Sequence, residues 1–256
     1  MTRVVAVANQ KGGVGKTTTA ISLAWELAAR GHTCLLIDID PQANATSGLG
    51  QRAGETSMYD VLVDEAPLEA AILRVTENLH LAPASADLAG AEVELVPAMA
   101  REYRLRRVLE GLTVRYDFVI IDCPPSLGLL TLNALTAAGE ALVPVQCEYL
   151  ALEGLSQLVR TLEAVRRNLN PSLRVGGLLL TMFDGRTNLG QQVAEEVRRH
   201  FPGTFRTVIP RNVRVSEAPS HGLAVGQYAP SSPAARAYRA FAAEFAERGA
   251  AVEAKA

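Results

Sequence analysis

The fold of this 256-residue chain is decided by residues 10–18, which read Gln10-Lys11-Gly12-Gly13-Val14-Gly15-Lys16-Thr17-Thr18. An apolar run, residues 4–8, comes just before this stretch, and an amphipathic segment begins near Thr17. A strand, a glycine-rich turn and a helix in this order are the context of a phosphate-binding loop. The glycines let successive backbone N–H groups face a phosphate, and the helix adds the positive end of its dipole. We therefore expect Lys16 to reach the β- and γ-phosphates of a nucleotide and the Thr17 hydroxyl to bind Mg²⁺.

The start of the loop differs from the common G-x-x-x-x-G-K-[ST] pattern. Gln10 stands in place of the first glycine, and a second lysine, Lys11, follows it. A lysine at this entrance points away from its own N–H cradle, so it could meet a nucleotide held by another subunit. Residues 11–18 resemble the deviant Walker A motif of the ParA/MinD ATPases, whose extra lysine acts across a nucleotide-sandwich dimer. The resemblance gives Lys11 and Lys16 catalytic roles and assigns ATP binding to Lys11, Gly12, Gly13, Val14, Gly15, Lys16, Thr17 and Thr18.

A second motif follows the next apolar run, Cys34-Leu35-Leu36-Ile37, and reads Asp38-Ile39-Asp40-Pro41-Gln42. Two apolar strands joined by a helix indicate a right-handed βαβ unit in a buried parallel sheet. The acidic residues then lie at the same edge of the sheet as the phosphate-binding loop. Residues 38–42 resemble the second motif of the family, and by that resemblance Asp40 orients or activates the water that attacks the γ-phosphate. Alternatively, Asp40 only caps the turn before Pro41.

A third motif, Asp117-Phe118-Val119-Ile120-Ile121-Asp122, is an apolar strand that ends in a carboxylate, the Walker B pattern. We expect Asp122 to hold Mg²⁺ through a water, because Mg²⁺ gives up its hydration shell reluctantly. Pro124 and Pro125 then restrict the next turn, which either senses the γ-phosphate or simply leaves the strand. The expected cofactors are therefore ATP and Mg²⁺, with Thr17 and Asp122 as the metal-binding residues.

Further apolar runs complete the predicted fold. Residues 79–83, 141–145 and 175–182 read as strands, whereas residues 150–169 and 232–248 read as helices, and residues 87–112 are helical in composition. The resemblance covers the chain from Val4 to about Phe245. It implies an α/β protein of the P-loop NTPase type, with a mostly parallel twisted sheet and helices on both faces in three layers. We place one ATPase domain at residues 1–248 and a weakly ordered tail at residues 249–256.

The second half of the chain offers weaker site candidates. In the family, the turns after residues 175–182 and at residues 209–212 pack around adenine, which implies base contacts for Met182 and Pro210. Ordinary core packing explains Met182 equally well. Residues 212–222 resemble a segment of the ParA/Soj branch, the chromosome-type partition ATPases. Charge and rough family position suggest three DNA contacts, Arg186, Arg198 and Arg214. A separate cluster reads as a solvated surface and consists of Arg101, Arg104, Arg106 and Arg107.

Composition limits the possible partners and the compartment. The chain is 48% hydrophobic with a formal net charge of −2, so it has a filled core but no overall basic field. Any DNA-binding surface must be local or must form on dimerisation. The three cysteines, Cys34, Cys123 and Cys147, have no disulfide or metal-site spacing. There is no apolar run near the roughly 20 residues of a membrane span and no charged leader, so we expect a cytoplasmic protein.

The resemblance implies an ATP-dependent DNA-partitioning protein. ATP would join two copies of the chain into a homodimer that binds double-stranded DNA without sequence preference on the nucleoid. Slow hydrolysis, stimulated by a ParB-like centromere-binding protein, would release the DNA.

The main alternative is a membrane-positioned regulator like MinD. That function needs a basic amphipathic helix at the C-terminus, whereas residues 244–256 contain three acidic residues and one aromatic residue. A reductase of the same fold would need cysteines that bridge a cluster, and only Cys123 follows a nucleotide motif. We therefore expect no membrane partner.

Overall fold

The computed structural model describes residues 2–148 and 151–253, and in these residues eight strands form one sheet. The strand order across the sheet is β3-β4-β2-β5-β1-β6-β7-β8, and each neighbouring pair is parallel except β3–β4. The strands are β1 (Arg3–Val7), β2 (Cys34–Asp38), β3 (Leu73–Arg74), β4 (Leu79–Ala82), β5 (Phe118–Asp122), β6 (Glu140–Gln146), β7 (Arg174–Phe183) and β8 (Thr204–Pro210).

Helices cover both faces of the sheet. They are α1 (Lys16–Ala28), α2 (Asn44–Gly48), α3 (Met58–Leu62), α4 (Leu68–Ala71), α5 (Leu88–Glu94), α6 (Arg104–Glu110), α7 (Leu129–Ala137), α8 (Ala151–Asn168), α9 (Asn188–His200), α10 (Val213–Glu217), α11 (Val225–Tyr228) and α12 (Pro233–Glu253). Two short 3₁₀ helices lie at Arg101–Tyr103 and Ala218–His221.

Two hydrophobic clusters, one on each face, hold these layers together. One cluster joins side chains of α1 and α12 to one face of the central strands, with Tyr238, Phe241 and Phe245 of α12 nearly fully buried. The other cluster joins α3, α5, α7 and α8 to the opposite face. Every residue of β2 and β5 is buried, as in strands covered by helices on both faces. The three-layer α/β architecture predicted from the sequence is confirmed.

The register of the central strands positions the functional edge. Val7 at the end of β1 pairs with Asp122 at the end of β5, and Asp38 at the end of β2 pairs with Asp122 from the other side. The loops that leave β1, β2 and β5 therefore start next to one another at the carboxyl edge of the sheet.

Some elements differ from the sequence predictions. Residues 87–112 do not form one helix, because Pro97 lacks an N–H and disfavours a helical conformation at the residue before it. The strand β8 and the two-residue β3 had no clear apolar run. Helix α12 continues through Gly249 to Glu253, so these tail residues are helical and the prediction of an early helix end was wrong. Residues 254–256 of the predicted tail lie outside the described residues.

Candidate nucleotide-binding site

A cleft of about 340 Å³ lies at the carboxyl edge of the sheet, above the ends of β1, β2 and β5. It brings together most residues of the first motif and two residues of the second with parts of the neighbouring loops. Its lining consists of Gly12, Gly13, Gly15, Lys16, Thr17, Thr18, Asp40, Gln42, Asn44, Pro125 and Met182. The structure thus places the predicted loop, Asp40 and Met182 around one space.

The glycine loop keeps a conformation that only glycine adopts easily. Gly13 has a φ of 73° and Gly15 a φ of 88°, and Gly15 precedes the first turn of α1. Val14 between them is buried, and its carbonyl accepts a hydrogen bond from the Thr181 hydroxyl at 2.8 Å. The Val14 side chain therefore fills the interior, and this residue offers the cleft only its backbone. The bond to Thr181 also ties the loop to β7.

Lys16 lies at the base of the cleft and is buried. Its Nζ donates a hydrogen bond to the carbonyl oxygen of Lys11 at 3.3 Å. Desolvation lowers the pKa of Lys16 below its usual value, and the nearby carboxylates of Asp122 and Asp40 oppose that shift. An ammonium in this position can bind a phosphate oxygen with little competition from water.

The Lys11 side chain points away from the cleft of its own chain and towards Glu148. Its N–H donates to Asn9 Oδ1 at 3.0 Å, and the Asn9 amide in turn donates to the Pro144 carbonyl at 2.7 Å. The Lys11 Nζ lies 3.3 Å from Glu148 Oε2, in an ion pair whose side chains are 37% and 46% exposed. Lys11 does not line the cleft of its own chain.

Asp38 and Asp40 hold the loop after β2 in place. Both oxygens of the buried Asp38 carboxyl accept hydrogen bonds, from the Asp40 N–H and from the N–H and hydroxyl of Thr46. Burial, partly offset by these bonds, raises the pKa of Asp38 to about 6. Asp40 Oδ1 accepts the Gln42 N–H at 3.0 Å. Asp40 therefore does cap the turn, as the alternative interpretation held, and it also lines the cleft.

Asp122 is fully buried at the end of β5. Neither oxygen has a hydrogen-bond partner of normal geometry among the described residues. Burial raises the pKa of Asp122 well above its usual range, Asp38 raises it further, and the nearby Thr17 hydroxyl and Lys16 oppose the shift. A buried carboxylate with free lone pairs beside a threonine hydroxyl fits a hydrated Mg²⁺, which takes oxygen ligands and keeps several waters.

A second cavity of about 150 Å³ adjoins the cleft and shares Gly15, Thr18 and Met182 with it. Pro210 lines this cavity too, so the two residues suggested as base contacts lie together. Met182 has a φ of 50°, an uncommon conformation for a residue with a side chain. Sequence reasoning missed Tyr238 of α12, which also lines the cavity, because no local pattern links this residue to the nucleotide motifs.

The arginines suggested as DNA contacts all lie in the part of the chain from the end of β7 to α10. Arg186 is 89% exposed and pairs with Asp184 at 2.8 Å, which holds the pKa of Asp184 at about 2. Arg214 pairs with Glu217 at 2.6 Å. Arg198 donates a hydrogen bond to the Arg206 carbonyl. Acidic neighbours thus offset two of the three charges, and DNA binding at these positions stays a prediction.

The separate arginine cluster is similarly paired. Arg101 contacts Glu102, Arg104 contacts Glu65 and Arg106 contacts Glu110, so the cluster is charge-balanced. It is not fully solvated, because the Arg104 side chain is only 15% exposed.

Comparison with known proteins assigns the family. A family model described as an AAA domain matches residues 2–175. The chain is 56% identical over 253 residues to the sporulation initiation inhibitor protein Soj of Bacillus subtilis, covering 97% of this chain and 100% of that protein. It is 51% identical over 251 residues to the chromosome partitioning protein ParA of Myxococcus xanthus, covering 96% and 88%. The chain belongs to the Soj/ParA family.

Solved structures agree with the fold of this Soj/ParA chain. A protein from Mycobacterium smegmatis, described as cobyrinic acid a,c-diamide synthase with bound ADP and magnesium, superposes with a TM-score of 0.82. It is 43% identical, and the match covers 94% of this chain and 93% of that one. Within residues 2–148 and 151–253, no helix combines the length and apolar character required to cross a membrane.

Proposed function

We propose that this chain is an ATP-hydrolysing DNA-partitioning protein that binds ATP and Mg²⁺ in the cleft beneath the glycine loop. The observation that carries this proposal is the unpartnered, buried Asp122 carboxylate near Thr17 and Lys16, two residues that line the cleft. A buried charge without partners is costly, so such a residue is usually retained for a ligand. The 51% identity to a named chromosome partitioning protein favours this function over the synthase named for the 43% identical structure.

Different residues in and around the cleft bind the phosphates, the base, the metal ion and the attacking water. Backbone N–H groups of the loop and the Lys16 ammonium bind the phosphates, and Met182 and Pro210 contact the base. Mg²⁺, held by Thr17 and through water by Asp122, would neutralise charge that develops on the phosphate oxygens. Asp40 holds its turn through Oδ1, and Oδ2 makes no hydrogen bond within the described residues, so Oδ2 accepts a hydrogen bond from the attacking water.

A second copy of the chain completes the site. Lys11 lies outside the cleft of its own chain, so its positive charge serves the nucleotide of the partner in an ATP-bridged homodimer. A single subunit lacks this charge around the transferring phosphoryl group, so its turnover is slow. A ParB-like centromere-binding protein that orders the site would accelerate hydrolysis.

The dimer binds double-stranded DNA without sequence preference, and hydrolysis releases it. Arg186, Arg198 and Arg214 contribute phosphate contacts, which make the binding salt-dependent. The protein acts in the cytoplasm on the nucleoid.

The test uses Asp40→Ala, which we expect to bind ATP without hydrolysing it. Gel shifts on random duplex DNA with ATP, with ADP and without nucleotide are run beside liposome flotation. Asp64→Ala is the matched control, because Asp64 is exposed and away from the cleft. We expect Asp40→Ala to bind DNA with ATP only, in a salt-sensitive way, and not to float, whereas Asp64→Ala keeps normal hydrolysis.

Three other outcomes would contradict parts of this proposal. Flotation without DNA binding would favour the membrane-positioned alternative. Unchanged ATP hydrolysis in Asp40→Ala would remove Asp40 from the mechanism, and normal ATP affinity in Lys16→Ala would overturn the nucleotide site itself.

A further inference from the structure

Two glycines from distant parts of the chain, Gly50 and Gly222, are in direct backbone contact. A Cβ added to Gly222 would lie 2.7 Å from Gly50 Cα, and a Cβ added to Gly50 would lie 3.3 Å from Gly222 Cα. Carbon atoms pack best at about 3.5–4.0 Å, so the two segments approach this closely only because both residues lack a side chain. The contact joins the loop that contains Asp40 to the segment that lines the second cavity.

Each glycine ends a helix in the left-handed conformation, with a φ of 67°. In both, the glycine N–H bonds to the carbonyl three residues earlier, and the N–H of the next residue bonds to the carbonyl five residues before that residue. These two bonds are those of a Schellman helix ending. Gly50 thereby follows α2, and Gly222 follows the 3₁₀ helix Ala218–His221. The contact therefore joins two helix ends whose backbone is hydrogen-bonded.

On one side, the contact reaches the nucleotide cleft through α2. Asn44, the first residue of α2, lines the cleft together with Asp40. Thr46 in the middle of α2 is held by Asp38, whose carboxyl accepts the Thr46 N–H at 2.8 Å and its hydroxyl at 2.7 Å. Because α2 has only five residues, little more than one helical turn, a shift of its end at Gly50 moves the Asp40 loop as well.

On the other side, the contact reaches the cavity of about 150 Å³ that is proposed to hold the base. Val215 and Ser216 of α10 line this cavity. Helix α10 runs without a break into the following 3₁₀ helix, and Glu217 at the junction accepts a hydrogen bond from the Tyr228 hydroxyl at 3.2 Å. One helical segment therefore extends from the wall of the cavity to Gly222.

We propose that Gly50 and Gly222 are positioning residues that couple base binding to phosphate hydrolysis. A base in the second cavity holds α10, the glycine contact passes this restraint to α2, and α2 keeps Asp40 aligned with the attacking water. A triphosphate with a base is therefore hydrolysed faster than one without, because binding energy remote from the reacting bond is used for alignment. This inference rests on the proposed function and adds a determinant of substrate choice to it.

The first test is amide hydrogen exchange of the full chain with ADP and with pyrophosphate, which has the phosphates but no base. Exchange in residues 12–18 reports occupancy of the glycine loop, and exchange in residues 44–51 reports the state of α2. We expect both ligands to slow exchange in the loop. In residues 44–51 we expect ADP to slow exchange about fivefold more than pyrophosphate, at the lower end of the usual coupling between two sites.

Gly222→Asn places a Cβ at the contact, and asparagine adopts the left-handed conformation more readily than most residues. Gly31→Asn is the matched control. Gly31 follows α1 with a φ of 90° and the same two backbone bonds, but nothing lies within 4 Å of a Cβ there. We expect Gly222→Asn to reduce the fivefold difference to less than about twofold and Gly31→Asn to keep it. If Gly222→Asn does not fold, Gly50→Asn, whose Cβ contact is longer, replaces it with the same expected result.

Hydrolysis gives the second readout, as the ratio of kcat for ATP to kcat for inorganic tripolyphosphate. We expect a ratio of about ten in the parent chain and in Gly31→Asn, since a substrate without its remote binding group loses kcat. In Gly222→Asn the two kcat values should lie within about twofold of each other, because the base no longer acts on the Asp40 loop. A general loss of folded protein would lower both rates alike and leave their ratio unchanged.

Three results would overturn the coupling. One is equal protection of residues 44–51 by ADP and pyrophosphate in the parent chain. Another is a Gly222→Asn variant that keeps both the ADP difference and the ratio of kcat values. The third is the same loss in Gly31→Asn, which would assign the effect to the replacement of a left-handed glycine and not to the contact. If ADP left residues 12–18 unprotected, the nucleotide site and the proposed function would fail instead, so the two failures are distinguishable.

Discussion

The Asp122 carboxylate lies in a position that does not stabilise the nucleotide-free protein. It is fully buried, neither oxygen has a hydrogen-bond partner within the described residues, and two other carboxylates, Asp38 and Asp40, are near. Removing a charge from water without a partner costs free energy, and like charges add to that cost. The position is therefore better explained by ligand binding than by stability.

Asp122→Asn should accordingly stabilise the nucleotide-free protein by roughly 1–3 kcal/mol at pH 8 while abolishing Mg²⁺-dependent ATP hydrolysis. The pKa of Asp122 in the folded state is raised above the ordinary value of 3.8. Below that ordinary value the carboxyl is neutral in both states, and at pH 4, just above it, the unfolded state is only partly ionised, so the advantage of Asn is small there. The advantage grows as the pH rises, because the unfolded state then ionises more readily than the folded state.

Urea unfolding at pH 4 and pH 8 measures this difference, with the exposed Asp64→Asn as a control that shifts stability little at either pH. If Asp122→Asn were less stable than the parent at pH 8, the carboxylate would have a stabilising partner that the structure does not show.

The sequence identified the residues of this site that belong to a motif, and it missed those that depend on packing. The glycine loop, Asp40 and Asp122 follow apolar strands, so strand order alone places them at one edge. Tyr238 reaches the site from α12, and Glu148 reaches Lys11 from the end of β6. Such contacts between distant parts of the chain leave no local pattern in a single sequence.

At the scale of elements, β7 contains an irregularity that its glycines make possible. The pairing with β6 shifts there, since Ala141 pairs with Val175 but Leu142 pairs with Gly177. One extra residue on β7 makes a β-bulge. Gly177 has a φ of 150°, and a Cβ added to it would lie 2.5 Å from a ring carbon of Phe205 and 2.8 Å from the Gly203 carbonyl oxygen. Phe205 packs in turn against Phe241 of α12.

Gly177→Ala should therefore destabilise the protein by roughly 2–4 kcal/mol, because the added methyl group forces β7, β8 and the Phe205 ring apart. Gly203→Ala is the matched control, since nothing lies within 4 Å of a Cβ at Gly203. Its effect should stay within about 0.5 kcal/mol. The midpoints of urea unfolding compare the two variants, and equal midpoints would mean that the bulge accommodates a side chain.

Apolar runs predicted the buried parallel strands well because their signal is continuous hydrophobicity. They failed at β8, where buried Phe205 stands beside exposed Arg206 and the strand lies at the edge of the sheet. A different signal failed at the end of α12, where Gly249 suggested that the helix ends. A glycine costs only about 1 kcal/mol in a helix, and α12 continues past it.

At the scale of the whole molecule, the subunit described here is an incomplete ATPase under the proposed function. Lys11 is held by Glu148 of its own chain instead of lining its own cleft. To act on the nucleotide of a partner, Lys11 must leave Glu148, so this ion pair competes with the ATP-bridged dimer. Exposed ion pairs contribute about 0.2–1 kcal/mol each, and two of them break in each dimer, which limits the competition to a factor of roughly thirty.

Glu148→Gln should tighten the ATP-dependent dimer by about two- to thirtyfold in sedimentation experiments, because Lys11 no longer has a charged partner in its own chain in either subunit. Lys11→Ala should bind ATP normally and fail to dimerise. In the Lys11→Arg background, which replaces the lysine but keeps its positive charge, the Glu148→Gln effect should persist, since an arginine can pair with Glu148 as well. Weaker dimerisation of Glu148→Gln would instead mean that Glu148 stabilises the dimer directly, and the ion pair would then not restrain Lys11.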